Sequence, residues 1–553
     1  LKFEPSDTFD ARLKVSYSSQ QQDNISDIKQ KIACPYGTSQ VATTVSLLGG
    51  NPALAPLLAI DDCKPNRHFT HGTMPQGVAN LAPGRSTPND LSKTTIFLSS
   101  LEMNQALTPD IKLTSVTGYE STKDDIIDNY SWNPAYLPAI VYDSNTQDHS
   151  FTQEIRVATS FPDFPVNFLF GGFYQDAKLS AFNYNTPSGT PRFDQDIGTR
   201  ALSFFGQGIW NITDTVELSG GARYSSERKT FRVQRGGIQQ PTLVPKRNFH
   251  DLSPEVTLTY RPSRAATFYA SFKEGFKSGG FNPRYNLGAP IAAPGDDVSF
   301  DQERVRGGEV GAKGELLDRS LRVSLAAYNY KYSDLQVTSI DNSGIVAVIR
   351  IQNAAAARVK GLEFDANFAP RAVPGLRLNS SVNYTSAKYL NFISPCFTGQ
   401  TIAEGCNLRP DTTTGRFTSQ DLSGRRLTNS APWSMAFGAS YEVPITTGWM
   451  LGFSGDTKYE AAYNPLPEQD VLVRQDAYWM LNGSVRIFSD DGNWEFAVIG
   501  RNLTNVYRAV ESASASLTGI STRTGTATAG GRADYTGNVI RPRSIMAQVS
   551  FKY

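Results

Sequence analysis

The connections in this chain are sorted by length. Segments of alternating apolar and polar residues follow one another from end to end, joined in turn by a tight turn and a long loop. A soluble sheet sandwich has no reason to put its long loops on every second connection. An up-and-down barrel that spans a membrane does, because its short turns gather on one side and its long loops on the other. The last segment, Ile545 to Tyr553, shows the pattern most plainly. Ile545, Ala547, Val549, Phe551 and Tyr553 share one face, and Met546, Gln548, Ser550 and Lys552 share the other. That is a period-2 strand, of the form a transmembrane β-barrel needs to close on its first strand.

Taken in order, Glu4-Pro5-Ser6-Asp7 reads as a tight turn and residues 11–17 as the next strand. A long connection over 21–93 follows, in which residues 51–60 suit a short helix or a packed loop segment. Strands are expected near 94–104 and 111–122, at 151–157, and on the return through 166–170. Further pairs lie near 199–211 and 215–231, 248–261 and 265–275, 303–316 and 320–333, and 348–368 and 376–388. The last pairs lie near 432–443 and 449–461 and near 476–488 and 494–502, before the final strand. The tight turns carry turn chemistry: Thr108-Pro109-Asp110, Arg261-Pro262-Ser263, Leu317-Asp318-Arg319, Pro444 to Gly448 and Asp490-Asp491-Gly492. A Ser/Thr/Gly/Ala-rich loop covers about 503–536. The count is 19 strands, and the length alternation runs through all of them.

The membrane assignment rests on which rows alternate. Val256, Leu258 and Tyr260 form one lipid-facing row. Met435, Phe437, Ala439, Tyr441 and Val443 form another, and Trp479, Leu481, Val485 and Ile487 a third. The opposite rows carry Arg, Glu, Lys, Ser and Asn, as a wet or filled lumen requires. No stretch approaches the roughly 18 consecutive apolar residues of a membrane helix. The competing architecture is a large antiparallel sandwich with one solvated face. A net charge of +1 gives no case for nucleic acid.

Four cysteines sit as two local pairs, Cys34 with Cys63 and Cys396 with Cys406, both in long loops. Disulfides there suit the oxidising cell envelope. A metal site is the other reading of four cysteines, but no C-x-x-C spacing occurs and the chain has only 4 histidines. Nothing in the sequence calls for a cofactor. No nucleophile elbow, HExxH or phosphate loop is present, so the chain is not expected to be an enzyme. Lys277-Ser278-Gly279-Gly280 lacks the phosphate-loop spacing and reads as a strand-to-loop exit needing flexible backbone.

Five segments resemble one family. Ser271-Phe-Lys-Glu-Gly-Phe-Lys-Ser-Gly-Gly-Phe-Asn282, Lys360-Gly-Leu-Glu-Phe-Asp365, Phe151-Thr-Gln-Glu-Ile-Arg156, Gly500-Arg-Asn-Leu-Thr-Asn-Val-Tyr507 and Arg541-Pro-Arg-Ser544 with the terminal aromatics are similar to segments of TonB-dependent outer-membrane receptors. They resemble the iron-complex receptor branch more than passive porins. The resemblance implies an all-β fold: a 22-stranded transmembrane barrel filled by an N-terminal plug, with residues 1–553 as its barrel domain. Lys2-Phe-Glu-Pro-Ser-Asp7 resembles the end of the family's fourth strand and its turn. The expectation is therefore that the plug and three strands precede Leu1. A plugless remnant would leave a costly open strand edge in lipid.

The function implied is uptake of a scarce ligand, an iron–siderophore or similar iron complex, across the Gram-negative outer membrane. TonB would supply the energy by pulling on the plug. Partners are then outer-membrane lipid and lipopolysaccharide, TonB, a metal-chelate or other small ligand, and a possible surface or periplasmic protein. Candidate ligand contacts are Arg67, His68 and His71, which suit an anionic chelate, and Tyr130, Trp132 and Tyr136, which suit stacking. Arg284 and Tyr285, after the Gly-Gly-Phe-Asn segment, complete the set. Each also fits an ordinary solvated or packed loop residue. The alternatives are a TonB-dependent transporter of glycan or another organic solute, a barrel scaffold for a surface complex, or a diffusion porin, whose usual barrel of about 16–18 strands is smaller.

Overall fold

A computed structural model describes residues 1–23, 29–37, 62–66, 91–129, 141–185, 193–235, 238–239, 244–282, 298–341, 348–410, 417–514 and 531–552. The segment 51–60 lies outside them. The main sheet holds 22 strands, three of which are short pieces in the loops (Ile238–Gln239, Leu408–Pro410 and Phe417–Asp421). The other nineteen form one continuous wall. They are β1 (Lys2–Ser6), β2 (Phe9–Asp23), β3 (Leu91–Thr108), β4 (Ile111–Asn129), β5 (Val141–Thr159), β6 (Val166–Asn185) and β7 (Phe193–Asn211). Next come β8 (Val216–Arg235), β9 (Lys246–Ser263), β10 (Ala266–Lys277), β11 (Glu303–Leu316), β12 (Leu321–Asp341), β13 (Val348–Phe368) and β14 (Leu376–Pro395). The wall ends with β15 (Trp433–Thr446), β16 (Trp449–Glu460), β17 (Tyr478–Ser489), β18 (Trp494–Arg501) and β19 (Ser544–Phe551).

Each wall strand pairs antiparallel with its neighbour in sequence, as an up-and-down barrel requires. The same order continues from β10 to β19. Among the described residues, no strand pairs with the outer edges of β1 or β19. The loops above them do join. Lys29–Ala33, just beyond β2, hydrogen-bonds to Tyr535–Val539, just before β19. The wall therefore curls round until its first and last segments meet at the rim.

Period 2 decides what each strand shows to lipid. Val256, Leu258 and Tyr260 are exposed, as are Phe437, Trp479, Leu481, Val485 and Ile487. Ile545, Ala547, Val549 and Phe551 lie exposed on β19, while Tyr553 is outside the described residues. An exposed leucine in a soluble chain is unremarkable, but here exposed large apolar residues repeat at alternate positions on strand after strand. The buried clusters point the same way, for three apolar clusters lie at the loop end of the wall.

Three prolines depart from the expected turns. Pro5, Pro262 and Pro444 were expected to mark turn corners, yet each sits inside a strand. Each falls where the pairing register slips, between Phe3 and Ser6, Tyr260 and Ser263, and Pro444 and Thr446. Pro5 and Pro262 are skipped by the ladder, so proline's missing N–H costs nothing there, while Pro444 stands opposite Met450 at the edge of its bulge. The true turns lie just beyond. The strands also run further on the long-loop side than the alternation suggested. β12 and β13 have 21 residues each, against the roughly 9–11 needed to cross a bilayer. The strand expected near 320–333 thus runs on to Asp341, and the loop expected over about 503–536 contains a strand, Ala509–Ser514.

Candidate ligand-binding mouth

The rim is built from loops that lock one another in place. Ala509–Ser514, Tyr535–Val539 and Lys29–Ala33 form a three-stranded sheet. Asp470, fully buried, sits beneath it and caps the 3-10 turn Val471–Val473 through the Leu472 N–H. Its carboxylate also accepts from the Tyr535 hydroxyl and from Arg532 Nη2, 2.9 Å away. Arg532 lies 4.9 Å over the Phe397 ring and 3.4 Å from Glu404. Lys31 pairs with fully buried Asp534 at 3.0 Å. Burial, the neighbouring Asp470 carboxylate and the hydrogen bond to it hold the Tyr535 phenol well above its ordinary range. The hydroxyl therefore stays a donor.

Both disulfides are present, Cys34–Cys63 and Cys396–Cys406. The second closes a loop already braced inside: Gln400 Nε2 donates to Gln420 Oε1 at 2.9 Å, and Gln420 Nε2 to the Glu468 carbonyl at 3.0 Å. Beside this network, Arg508 stacks on Tyr463 and Tyr478, 5.0 and 4.4 Å from their centroids, and reaches Glu460 at 3.6 Å. None of these charges was singled out by sequence reasoning. Arg532 and Asp534 lie in low-complexity sequence, and Asp470 is more than sixty residues from Arg532, so no spacing signal joins them.

The stem of the β10–β11 loop is also fixed. Phe281 packs with Phe231, Val233 and Val298. Asn282 exchanges two bonds with Ile351, side-chain amide to carbonyl at 2.9 Å and backbone N–H to side-chain oxygen at 2.6 Å. A Cβ on Gly279 would lie 2.2 Å from the Phe300 carbonyl and 2.6 Å from the Phe249 ring. The glycines of this exit are thus required by close packing, not by a need for flexible backbone. On the inner wall, Gly361 of the Lys360–Asp365 segment makes room for Tyr328, whose hydroxyl is 3.0 Å from Thr385 Oγ1. Arg223 lies 5.4 Å from both the Phe173 and Phe205 rings on the same inward face.

The expected ligand contacts Arg67, His68, His71, Tyr130, Trp132, Tyr136, Arg284 and Tyr285 all lie outside the described residues. Their attachment points do not. Asn66, which precedes Arg67, donates from its backbone N–H to Gln30 Oε1, and its carbonyl accepts from Gln30 Nε2 at 2.7 Å. Arg284 begins two residues after Asn282. Among the described residues, no group of three or more His, Cys, Asp or Glu side chains could hold a metal ion. Shallow clefts such as that floored by Ala439 and Gly455 between Phe437 and Leu481 lie on the outward apolar face, where lipid covers them.

The wall and its capped rim define a transmembrane antiparallel β-barrel with long loops knitted over one end. The family described as TonB dependent receptor-like, beta-barrel, matches residues 62–506, and the chain belongs to that family of outer-membrane receptors and transporters. It is 25% identical over 244 residues to the pesticin receptor of Yersinia enterocolitica, a match covering 43% of this chain and 34% of that protein. It is 25% identical over 203 residues to the ferric-pyoverdine 358 receptor of Pseudomonas putida, covering 35% of this chain and 22% of that protein. The matched stretches thus span 34% and 22% of these relatives' length. In fold, the chain superposes on the ferric yersiniabactin uptake receptor FyuA of Yersinia pestis with a TM-score of 0.67 at 12% identity, over 99% of this chain and 69% of that one. The siderophore receptor PiuA of Acinetobacter baumannii gives 0.62 at 13% identity, over 100% and 73%.

Proposed function

We propose that residues 1–553 form the barrel domain of an energy-coupled transporter that takes up a scarce metal chelate, an iron–siderophore complex, across the outer membrane. The observation that carries this reading is the match to relatives named as receptors for pesticin and ferric pyoverdine. The mouth supports it. A loop layer cross-braced by buried ion pairs and two disulfides offers a preorganised rim, which lowers the entropy lost when loops order around a ligand. We assign ligand contact to Arg67, His68, His71, Tyr130, Trp132, Tyr136, Arg284 and Tyr285. TonB is the partner that supplies energy, and no catalytic step is required of the chain. The test is uptake of radioactive iron by cells that carry or lack the gene, supplied with a panel of ferric chelates under iron restriction. Uptake of at least one chelate should require both this protein and TonB. Equal uptake by both strains across the panel, together with gene-dependent growth on a glycan, would overturn the iron reading.

A further inference from the structure

The short turns are sorted by charge. The first four carry Asp7, Asp110, Asp163 and Asp214, and the last carries Asp490 and Asp491, with no Lys or Arg among the turn residues. The three turns between β9 and β14 are the opposite. Arg264 sits in the β9–β10 turn, Arg319 in the β11–β12 turn and Arg371 in the β13–β14 turn. Arg261, Arg322 and Arg377 stand on the strand ends that flank them. All of these arginines are exposed. Three carboxylates answer them. Glu217 lies 3.2 Å from Arg261, Glu315 lies 3.4 Å from Arg319 and 3.2 Å from Arg322, and Asp318 lies 3.3 Å from Arg371. Among the described residues, no carboxylate forms an ion pair with Arg264 or Arg377.

The basic turns form one arc. The Glu315 N–H donates to the Ala265 carbonyl at 2.8 Å, and the Ala369 N–H to the Ser320 carbonyl at 2.8 Å, so the turns stand side by side. Successive turns are two strands apart, about 10 Å. The Arg371 guanidinium also reaches across to the Asp318 carbonyl at 2.6 Å. It braces a turn in which Leu317, Asp318 and Arg319 all take positive φ, at 50°, 51° and 68°, a conformation unfavourable to L side chains. Pro262, Pro370 and Pro374 stiffen the other two turns. The arginines are thus carried at a fixed spacing on the short-turn side, which faces the periplasm in barrels of this type.

We infer that this arc docks the barrel on the peptidoglycan layer, through the carboxylates of the peptide stems. An exposed arginine holds one small anion weakly, so a free anion gains little here. A polymer with repeated carboxylates engages several arginines at once, and each contact raises the effective concentration for the next. The planar guanidinium fork pairs with a carboxylate through two parallel hydrogen bonds. Peptidoglycan is the polymer of that description that lies beneath the outer membrane. A protein partner would need an aromatic or other apolar anchor at the centre of its footprint, and residues 261–265, 317–320 and 369–375 include no aromatic side chain.

The test is cosedimentation of the full chain, in nanodiscs of zwitterionic lipid, with three probes: isolated peptidoglycan sacculi, sacculi whose carboxyl groups have been amidated, and vesicles of acidic phospholipid. Native sacculi should carry the protein down, and less so as salt is raised. Amidated sacculi should bind about tenfold more weakly or worse. R264Q/R377Q removes the two arginines that hold no ion pair, so every bridge in the arc is left intact. It should weaken sacculus binding about three- to tenfold. D214N, at a neighbouring acidic turn, should not weaken it. Equal binding of native and amidated sacculi would overturn the proposal, as would unchanged sacculus binding by R264Q/R377Q. Binding to the vesicles that is lost in the same variant, with none to sacculi, would make the arc a lipid contact and overturn it too. A periplasmic protein cross-linked in cells only when these arginines are present, with sacculus binding unaffected, would give the arc to that protein instead.

Discussion

Two single residues carry consequences that can be measured directly. Gly279 has no room for a methyl group, with the Phe300 carbonyl and the Phe249 ring both inside contact distance of a Cβ there. Backbone cannot move aside as a flexible side chain can. Gly279→Ala should therefore shift the loop stem and cost about 1–3 kcal/mol, read as faster hydrogen exchange over residues 276–282. Equal exchange in the two proteins would show that the stem is slack. Tyr535 makes the second case. Its phenol is held above the ordinary range by burial first, then by Asp470. A raised folded value means that the stability it lends is complete below the free phenol's range, and is lost as pH rises from there through the raised value. The rim should loosen only at strongly alkaline pH. Tyr535→Phe should remove that alkaline step, whereas a step of the same size in the variant would assign it to another group.

At the scale of elements, the rim is where unlike segments have been forced together. Lys31 and Asp534 are both buried and come from opposite ends of the chain. Lys31→Met should cost about 3–5 kcal/mol, because it leaves the Asp534 charge buried without its cation. The double change with Asp534→Leu should recover much of that, and a denaturation-based double-mutant cycle would show it. Removing the Cys396–Cys406 bridge should cost about 2–3 kcal/mol by freeing a loop with a sequence separation of 10, measured as earlier proteolysis of the 396–432 segment. The wall was legible in the sequence because period 2 is a local signal: the Val256, Leu258, Tyr260 row is read from one strand alone. Turn corners were less legible, since Pro5, Pro262 and Pro444 advertise turns but sit in bulges. The rim was not legible at all. Asp470, Arg532 and Tyr535 meet only because four connections converge over the barrel, and nothing local records a convergence.

For the whole molecule, the usual rule that apolar residues turn inward is reversed. The wall presents apolar rows outward and polar rows to the lumen, while its buried apolar clusters lie among the upper strand ends and loops. Its stability then depends on the surrounding solvent being lipid rather than on a central core, and adjacent residues of one strand should respond oppositely to the same substitution. Leu258 is exposed on the outward face of β9, and Thr257 points the other way, opposite Ser271 and Ser219. Leu258→Arg places a cation in hydrocarbon and should cost about 2–4 kcal/mol if its position is near the bilayer midplane. Thr257→Arg puts the same group one residue away in a polar lumen, and should cost well under that. Both would be read as denaturation midpoints of protein folded into lipid vesicles. Equal penalties would contradict the assignment of faces. A larger penalty for Thr257→Arg would invert it, and would turn the exposed rows of Val256, Phe437 and Val485 inward, which no membrane barrel permits.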